Sequence, residues 1–120
     1  MDTRTKILDA EAAIRAAGAA RRAGKTVKLV TGTFDPLLAA HAGRLREIAG
    51  AGAVLFAVIR EPEAPLLPAQ ARAELVAALG VVDYVVLGEA PLRPDEVYRE
   101  ETADAERTRD LIRHVQERQS

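Results

Sequence analysis

Thr26-Val-Lys-Leu-Val-Thr-Gly32-Thr33-Phe34-Asp35-Pro36-Leu37-Leu38-Ala39-Ala40-His41-Ala-Gly-Arg44 is the stretch on which the rest of the chain can be hung. Val27, Leu29 and Val30 make Thr26 to Thr31 a short strand that ends at Gly32. Asp35-Pro36 marks Thr33 to Ala39 as a loop, and Ala40 through Ile48 then suits a helix stopped by Gly50 and Gly52. A strand whose carboxyl end opens through a loop into a helix N-terminus is where open α/β sheets bind ligands. Backbone N–H groups around Thr33 and Phe34, and at the start of the helix, are free to receive an anion. His41, in the first helical turn, can donate to a phosphate oxygen, although the helix N-terminus disfavours its cationic form. A plainer account stays open: Gly32 permits a tight turn, Asp35 caps the loop, and His41 is a solvated surface residue.

Working outward, Asp9 to Gly24 suits a helix capped by Asp9, filled with alanine and closed by Gly24. Ala53 to Ile59 is an unbroken apolar run, the pattern of a strand covered on both faces in a parallel sheet. Pro62 and Pro65 make Arg60 to Leu67 a loop. Pro68 fits the first turn of a helix over Ala69 to Leu79, with Leu75, Val76 and Leu79 as its apolar stripe. Val81 to Leu87 is a third buried strand, interrupted by Asp83, and a fourth short strand falls near Val97-Tyr98. Thr102 to Gln119 is a polar helix with one apolar cluster, Leu111, Ile112 and Val115. Alternating strands and helices predict a doubly wound α/β layer with right-handed crossovers. Its strands at Thr26–Thr31, Ala53–Ile59 and Val82–Leu87 should be parallel and adjacent.

At 120 residues the chain reads as one domain, residues 1–120. Seventeen Lys and Arg against eighteen Asp and Glu give a net charge of −1, which argues against nucleic acid or an anionic membrane as a partner. Without a cysteine, a disulfide framework, a thiolate zinc site and a cysteine nucleophile are all excluded. The only serine is Ser120, so no Ser–His–Asp arrangement is suggested, and no His/Asp/Glu cluster has metal-ligand spacing. Met1 to Asp9 carries no signal-peptide pattern, and Ala49 to Ile59 falls well short of the about 20 residues that cross a bilayer. A cytoplasmic, soluble protein is the expectation. The abundance of alanine and arginine reads as coding bias and carries no functional weight.

The opening stretch resembles the signature G-x-F-D-x-x-H-x-G-H of the nucleotidyltransferase superfamily. That superfamily includes glycerol-3-phosphate cytidylyltransferase and the adenylyltransferase domain of heptose biosynthesis. Gly32, Phe34, Asp35 and His41 match in register, while Leu38 replaces the first His and Ala40 the Gly. Lys6-Ile-Leu, the first helix and Gly24-Lys25 are similar to the start of the heptose-type domain. Arg72 through Val86 is similar to the superfamily's third helix and strand, so the likeness runs from about Lys6 to Leu87. It implies a Rossmann-like three-layer α/β/α fold with a small parallel sheet, and nucleotidyl transfer from CTP or ATP, with Mg²⁺, to a small phosphorylated alcohol or sugar. In that chemistry a substrate phosphate attacks the α-phosphorus in line and pyrophosphate leaves, so positioning and charge stabilisation carry the rate. By the same resemblance Gly32, Thr33, Phe34, Asp35, Arg99 and Thr108 bind nucleotide, His41 is catalytic, and a homodimer is expected.

The departures point to an eroded site. Leu38 cannot donate to a leaving pyrophosphate, and Arg60 to Leu67 is short, acidic and proline-rich where the superfamily has a longer basic excursion. Arg107 to Ile112 aligns with the Ser/Thr-rich turn that opens the last helix, keeping only Thr108, and the strand before that turn is missing. Arg93-Pro94-Asp95 resembles the segment that places a basic residue at Arg99. Two functions stay open: a working or weakened nucleotidyltransferase, or a non-catalytic nucleotide-sensing or assembly domain. Asp83 reads either as a superfamily residue or as a cap. His114 reads as solvated, and Arg107, Arg109 and Arg113 as partners in ion pairs along a wet helical face.

Overall fold

The computed structural model of the chain describes residues 3–119; Met1, Asp2 and the single serine, Ser120, lie outside it. After a 3₁₀ turn at Thr3–Lys6 come β1 (Ile7–Leu8), α1 (Ala10–Arg22), β2 (Thr26–Gly32), α2 (Ala39–Ala49) and β3 (Ala53–Ile59). They are followed by α3 (Ala69–Ala77), β4 (Tyr84–Leu87), β5 (Glu96–Arg99) and α4 (Glu101–Gln119). The strands form one sheet in the order β1-β4-β3-β2-β5, with every neighbouring pair parallel. The expected strands are therefore adjacent and parallel, and the carboxyl end of β2 meets the N-terminus of α2.

Crossover handedness explains the layers. The chain steps from β2 to β3 to β4 in one direction, which puts α2 and α3 on one face, and from β1 to β2 in the other direction, which puts α1 on the opposite face. Along β3 the side chains alternate accordingly. Leu55, Ala57 and Ile59 pack with Leu45, Ile48, Ala73 and Val76, whereas Phe56 and Val58 pack with Ala13, Ala17 and Ala20 of α1. Both faces are dry, so the strand has no polar alternation. The alanines on the buried side of α1 let that helix lie close to the sheet. Helix ends are capped as their residues suggest. Asp9 accepts from the Ala12 amide at 2.8 Å, and the Lys28 ammonium donates to the Ile48 carbonyl at the end of α2, also at 2.8 Å.

Four details differ from expectation. The two-residue β1 is too short to show a pattern; Lys6 steadies it by donating to the Leu79 and Val82 carbonyls. The third strand starts at Tyr84, because Asp83 closes the ladder with its side chain, accepting from the Leu55 amide at 2.8 Å while its own N–H donates back to Leu55. Asp83 is thus a cap. Leu75 is exposed, so the buried stripe of α3 is Arg72, Ala73, Val76 and Ala77. Finally, α4 opens at Glu101, immediately after β5, and runs unbroken through Arg107 to Ile112, so no turn opens a helix there. The strand expected near Val97-Tyr98 is β5, docked on the free side of β2. Asp95 locks that docking by exchanging both a backbone and a side-chain hydrogen bond with Val27.

Candidate functional site

The loop after β2 is shaped as an anion cradle. Phe34 has φ +47°, an uncommon value for a residue with a side chain, and this turn aims successive amides at one point. A β-carbon at Gly32 would collide with whatever sits there and with the Phe34 ring. His41 completes the cradle from α2. It is 1% exposed, and its Nδ1 accepts the Leu38 amide at 2.9 Å, which in the neutral ring leaves the proton on Nε2, facing inward. Its ring lies tilted 5.7 Å from that of Phe34. The plainer alternative, a solvated surface histidine, is thereby overturned: closure of α2 on the sheet buries it.

What occupies the cradle is a side chain of the same protein. The Asp104 carboxylate, fully buried, accepts from the Thr33 amide at 2.8 Å and the Phe34 amide at 3.4 Å. Arg107, one turn on in α4, donates to its other oxygen at 2.9 Å. His41 Nε2 lies 2.9 Å from that same oxygen, but the approach is oblique and the imidazole N–H finds no well-aligned acceptor. A buried carboxylate is costly unless amides and a cation surround it, and here they do.

Around this centre the remaining residues brace the loops. The Asp35 carboxylate accepts from the Leu66 and Leu67 amides at 2.6 and 2.8 Å, pinning the loop after β3. Its backbone carbonyl accepts from the Thr108 hydroxyl at 2.8 Å, which ties α4 to the loop after β2. Arg72, fully buried, donates to the carbonyls of Thr33, Arg60 and Leu67 and to the Glu61 carboxylate. Arg44 on α2 donates to Glu100 at 2.8 Å, and that bond raises its already high pKa further. Beside the cradle a cavity of about 320 Å³ is bounded by Thr33, Asp35, Glu61, Glu101, Thr108 and Arg109.

Of the residues singled out from the sequence, Gly32, Thr33, Phe34, Asp35, His41 and Thr108 converge on this corner. Arg99 does not. It lies level with Thr31 across the β2–β5 pair and lines a separate cleft with Arg60 and Arg93 on the α1 face. Arg113 pairs with Asp110 on an exposed face of α4, whereas Arg107 does not join a wet face but turns inward to the buried Asp104. Sequence reading passes over Asp104, since one acidic residue among Glu101, Glu106 and Asp110 has no local mark. Arg72 does carry one: it stands four residues before Val76 on the apolar side of its helix. Among the described residues no group of three His, Asp or Glu side chains could hold a metal ion, and no helix is long and apolar enough to cross a membrane.

No family model matches the chain. It is 39% identical over 69 residues to the FAD synthase of Halorhabdus utahensis, a match covering 52% of this chain and 49% of that protein. It is also 40% identical over 76 residues to the bifunctional protein HldE of Syntrophotalea carbinolica, covering 56% of this chain and 16% of that protein. The chain thus spans about half of the first relative and a small part of the second. Together with the all-parallel Rossmann-like sheet, these local likenesses support the nucleotidyltransferase superfamily as the group to which this chain is akin.

Proposed function

We propose that this chain is a nucleotidyltransferase-superfamily domain that keeps the nucleotide platform at Gly32–His41 and is catalytically silent in the state described. The observation that carries this reading is the Asp104 carboxylate on the Thr33 and Phe34 amides. A phosphate oxygen would need those same amides and the inward Nε2 of His41. With Asp104 in place a triphosphate meets a filled donor set and a like charge in a dry site, where repulsion is only weakly screened.

Further losses add to the block. Leu38 contributes a backbone amide, already committed to His41, and no side-chain donor toward a leaving pyrophosphate. Each missing donor of this type is worth about 3–4 kcal/mol of transition-state stabilisation, and tighter ground-state binding does not restore it. Both oxygens of Asp35 are taken up by loop amides, so Mg²⁺ would come with the nucleotide's own phosphates. The role that fits is nucleotide sensing or subunit assembly, with CTP or ATP as the ligand class and displacement of Asp104 as the event.

The test pairs binding with turnover. Pyrophosphate release from CTP or ATP should be undetectable with a panel of glycerol, sugar and choline phosphates. Titration calorimetry should find weak triphosphate binding by the unmodified chain and tighter binding by Asp104→Asn. Robust turnover by the unmodified protein would sink the proposal, as would triphosphate binding indifferent to Asp104→Asn.

A further inference from the structure

The sheet ends on one side at β5, and among the described residues no strand pairs with its outer edge. The opposite margin is β1, only two residues long and too short to template a partner. At β5 the Glu100 amide bonds inward to the Thr31 carbonyl. Strand alternation turns Tyr98 and Glu96 inward as well, and directs the main-chain N–H and C=O groups of Val97 and Arg99 to the open edge. Such a row of unpaired groups is a template for another strand. Val97 adds an apolar side chain, 42% exposed, on the face left bare because the β4–β5 connection carries no helix.

Charge selects the partner. Residues 95–100 read Asp-Glu-Val-Tyr-Arg-Glu. A two-fold axis perpendicular to the sheet sets β5 antiparallel to a second β5 and keeps corresponding faces on the same side. With Val97 on that axis, Val97 meets its own copy, Asp95 meets the partner's Arg99, and Glu96 meets the partner's Tyr98. Every neighbouring register opposes like charges. Centring on Asp95, Glu96 or Arg99 sets that residue against itself, and centring on Tyr98 sets Glu96 against the partner's Glu100. The two groups that would pair are available: Arg99 makes no ion pair among the described residues, and Asp95 commits one carboxylate oxygen, to the Val27 amide at 2.7 Å.

We infer that two copies of this chain join edge to edge through β5, antiparallel about Val97, so that two five-stranded sheets become one of ten strands. Val97 and its copy exchange main-chain hydrogen bonds across the axis and pack side chain on side chain, and two Asp95–Arg99 pairs flank them. The edge shares no residue with the Asp104-filled cradle, and the assembly stands whether or not the reading of that cradle holds.

Sedimentation velocity on the full chain should show monomer–dimer exchange between about 10 µM and about 1 mM, a weak range that suits so short an edge. Across that range the Val97 amide should become about tenfold slower to exchange with solvent. Val97→Lys and Val97→Glu, at an exposed position and so compatible with folding, each set like charges on the axis and should each weaken self-association about tenfold or more. Mixed in equal amounts, these two variants should associate about tenfold more tightly than either alone, which a variant that failed to fold would not do. Arg99→Glu, which faces the partner's Asp95, should also weaken the dimer. A chain that stays monomeric at the top of the range, a dimer indifferent to Val97→Lys, or no gain on mixing would overturn the assignment.

Discussion

Asp104 is the residue on which the molecule turns. Among the described residues it is the one carboxylate that is both fully buried and bonded to two main-chain amides of the β2–α2 loop. Asp104→Ala should cost about 3–5 kcal/mol in urea denaturation, because it strands Arg107, His41 and two amides in a dry corner. Asp104→Asn keeps an acceptor and should cost about 1–3 kcal/mol. Pyrophosphate should then stabilise the Asn variant by about RT ln(1 + [L]/Kd), read as a rise in melting temperature that the unmodified protein does not show. His41 works in two directions, fixing the Leu38 amide and facing Asp104, so His41→Ala should destabilise by about 1–3 kcal/mol whether or not nucleotide ever binds. Unchanged stability would return His41 to the status of a surface side chain. Arg72, with four acceptors and no exposure, should be the least tolerant charged residue, Arg72→Met costing about 3–5 kcal/mol by the same measurement.

Among elements, α4 decides the state of the site. It begins directly after β5, so its first turns fall across the end of β2, where Asp104 and Thr108 bond the loop and Arg107 holds Asp104. Leu111 is half-buried, but beyond it the helix is exposed, with Ile112 and Val115 at 41% and 45%. Removing residues 116–120 should therefore shift the melting temperature by less than about 2 °C, since exposed helix ends contribute little. A larger fall would mean that the tail packs on something. The loop and start of α2 make the complementary case. Leu38→His with Ala40→Gly restores the motif's donors, yet should raise no activity while Asp104 fills the cradle. Combined with Asp104→Asn it should raise any residual pyrophosphate release, measured with CTP and ATP.

Across the whole molecule, stability should be graded by layer. Amide exchange should be slowest in β3, which is covered on both faces, and in β2, which pairs with a strand on each side, and fastest in the second half of α4. Equal protection along α4 would contradict a helix anchored only at its first turns. Much of this architecture was legible in the residues. The apolar run Ala53–Ile59 declared a doubly buried strand, Gly32 through His41 declared a strand-to-helix corner, and Val97-Tyr98 marked a last short strand. These are signals of local pattern: side-chain periodicity, turn chemistry and capping act over a few residues and survive in one dimension. Asp83 as a cap was one of two readings and Arg72 stood on the apolar side of its helix, but the partners of Arg72 and the burial of His41 were not legible, because each depends on residues elsewhere in the chain. The filling of the cradle is the extreme case. Asp104 lies 71 residues from Thr33 in sequence, and an acidic residue in an acidic helix looks solvated until the fold puts it against amides. Local chemistry built the anion site; only the packing of α4 over β2 determined that the anion would be the protein's own.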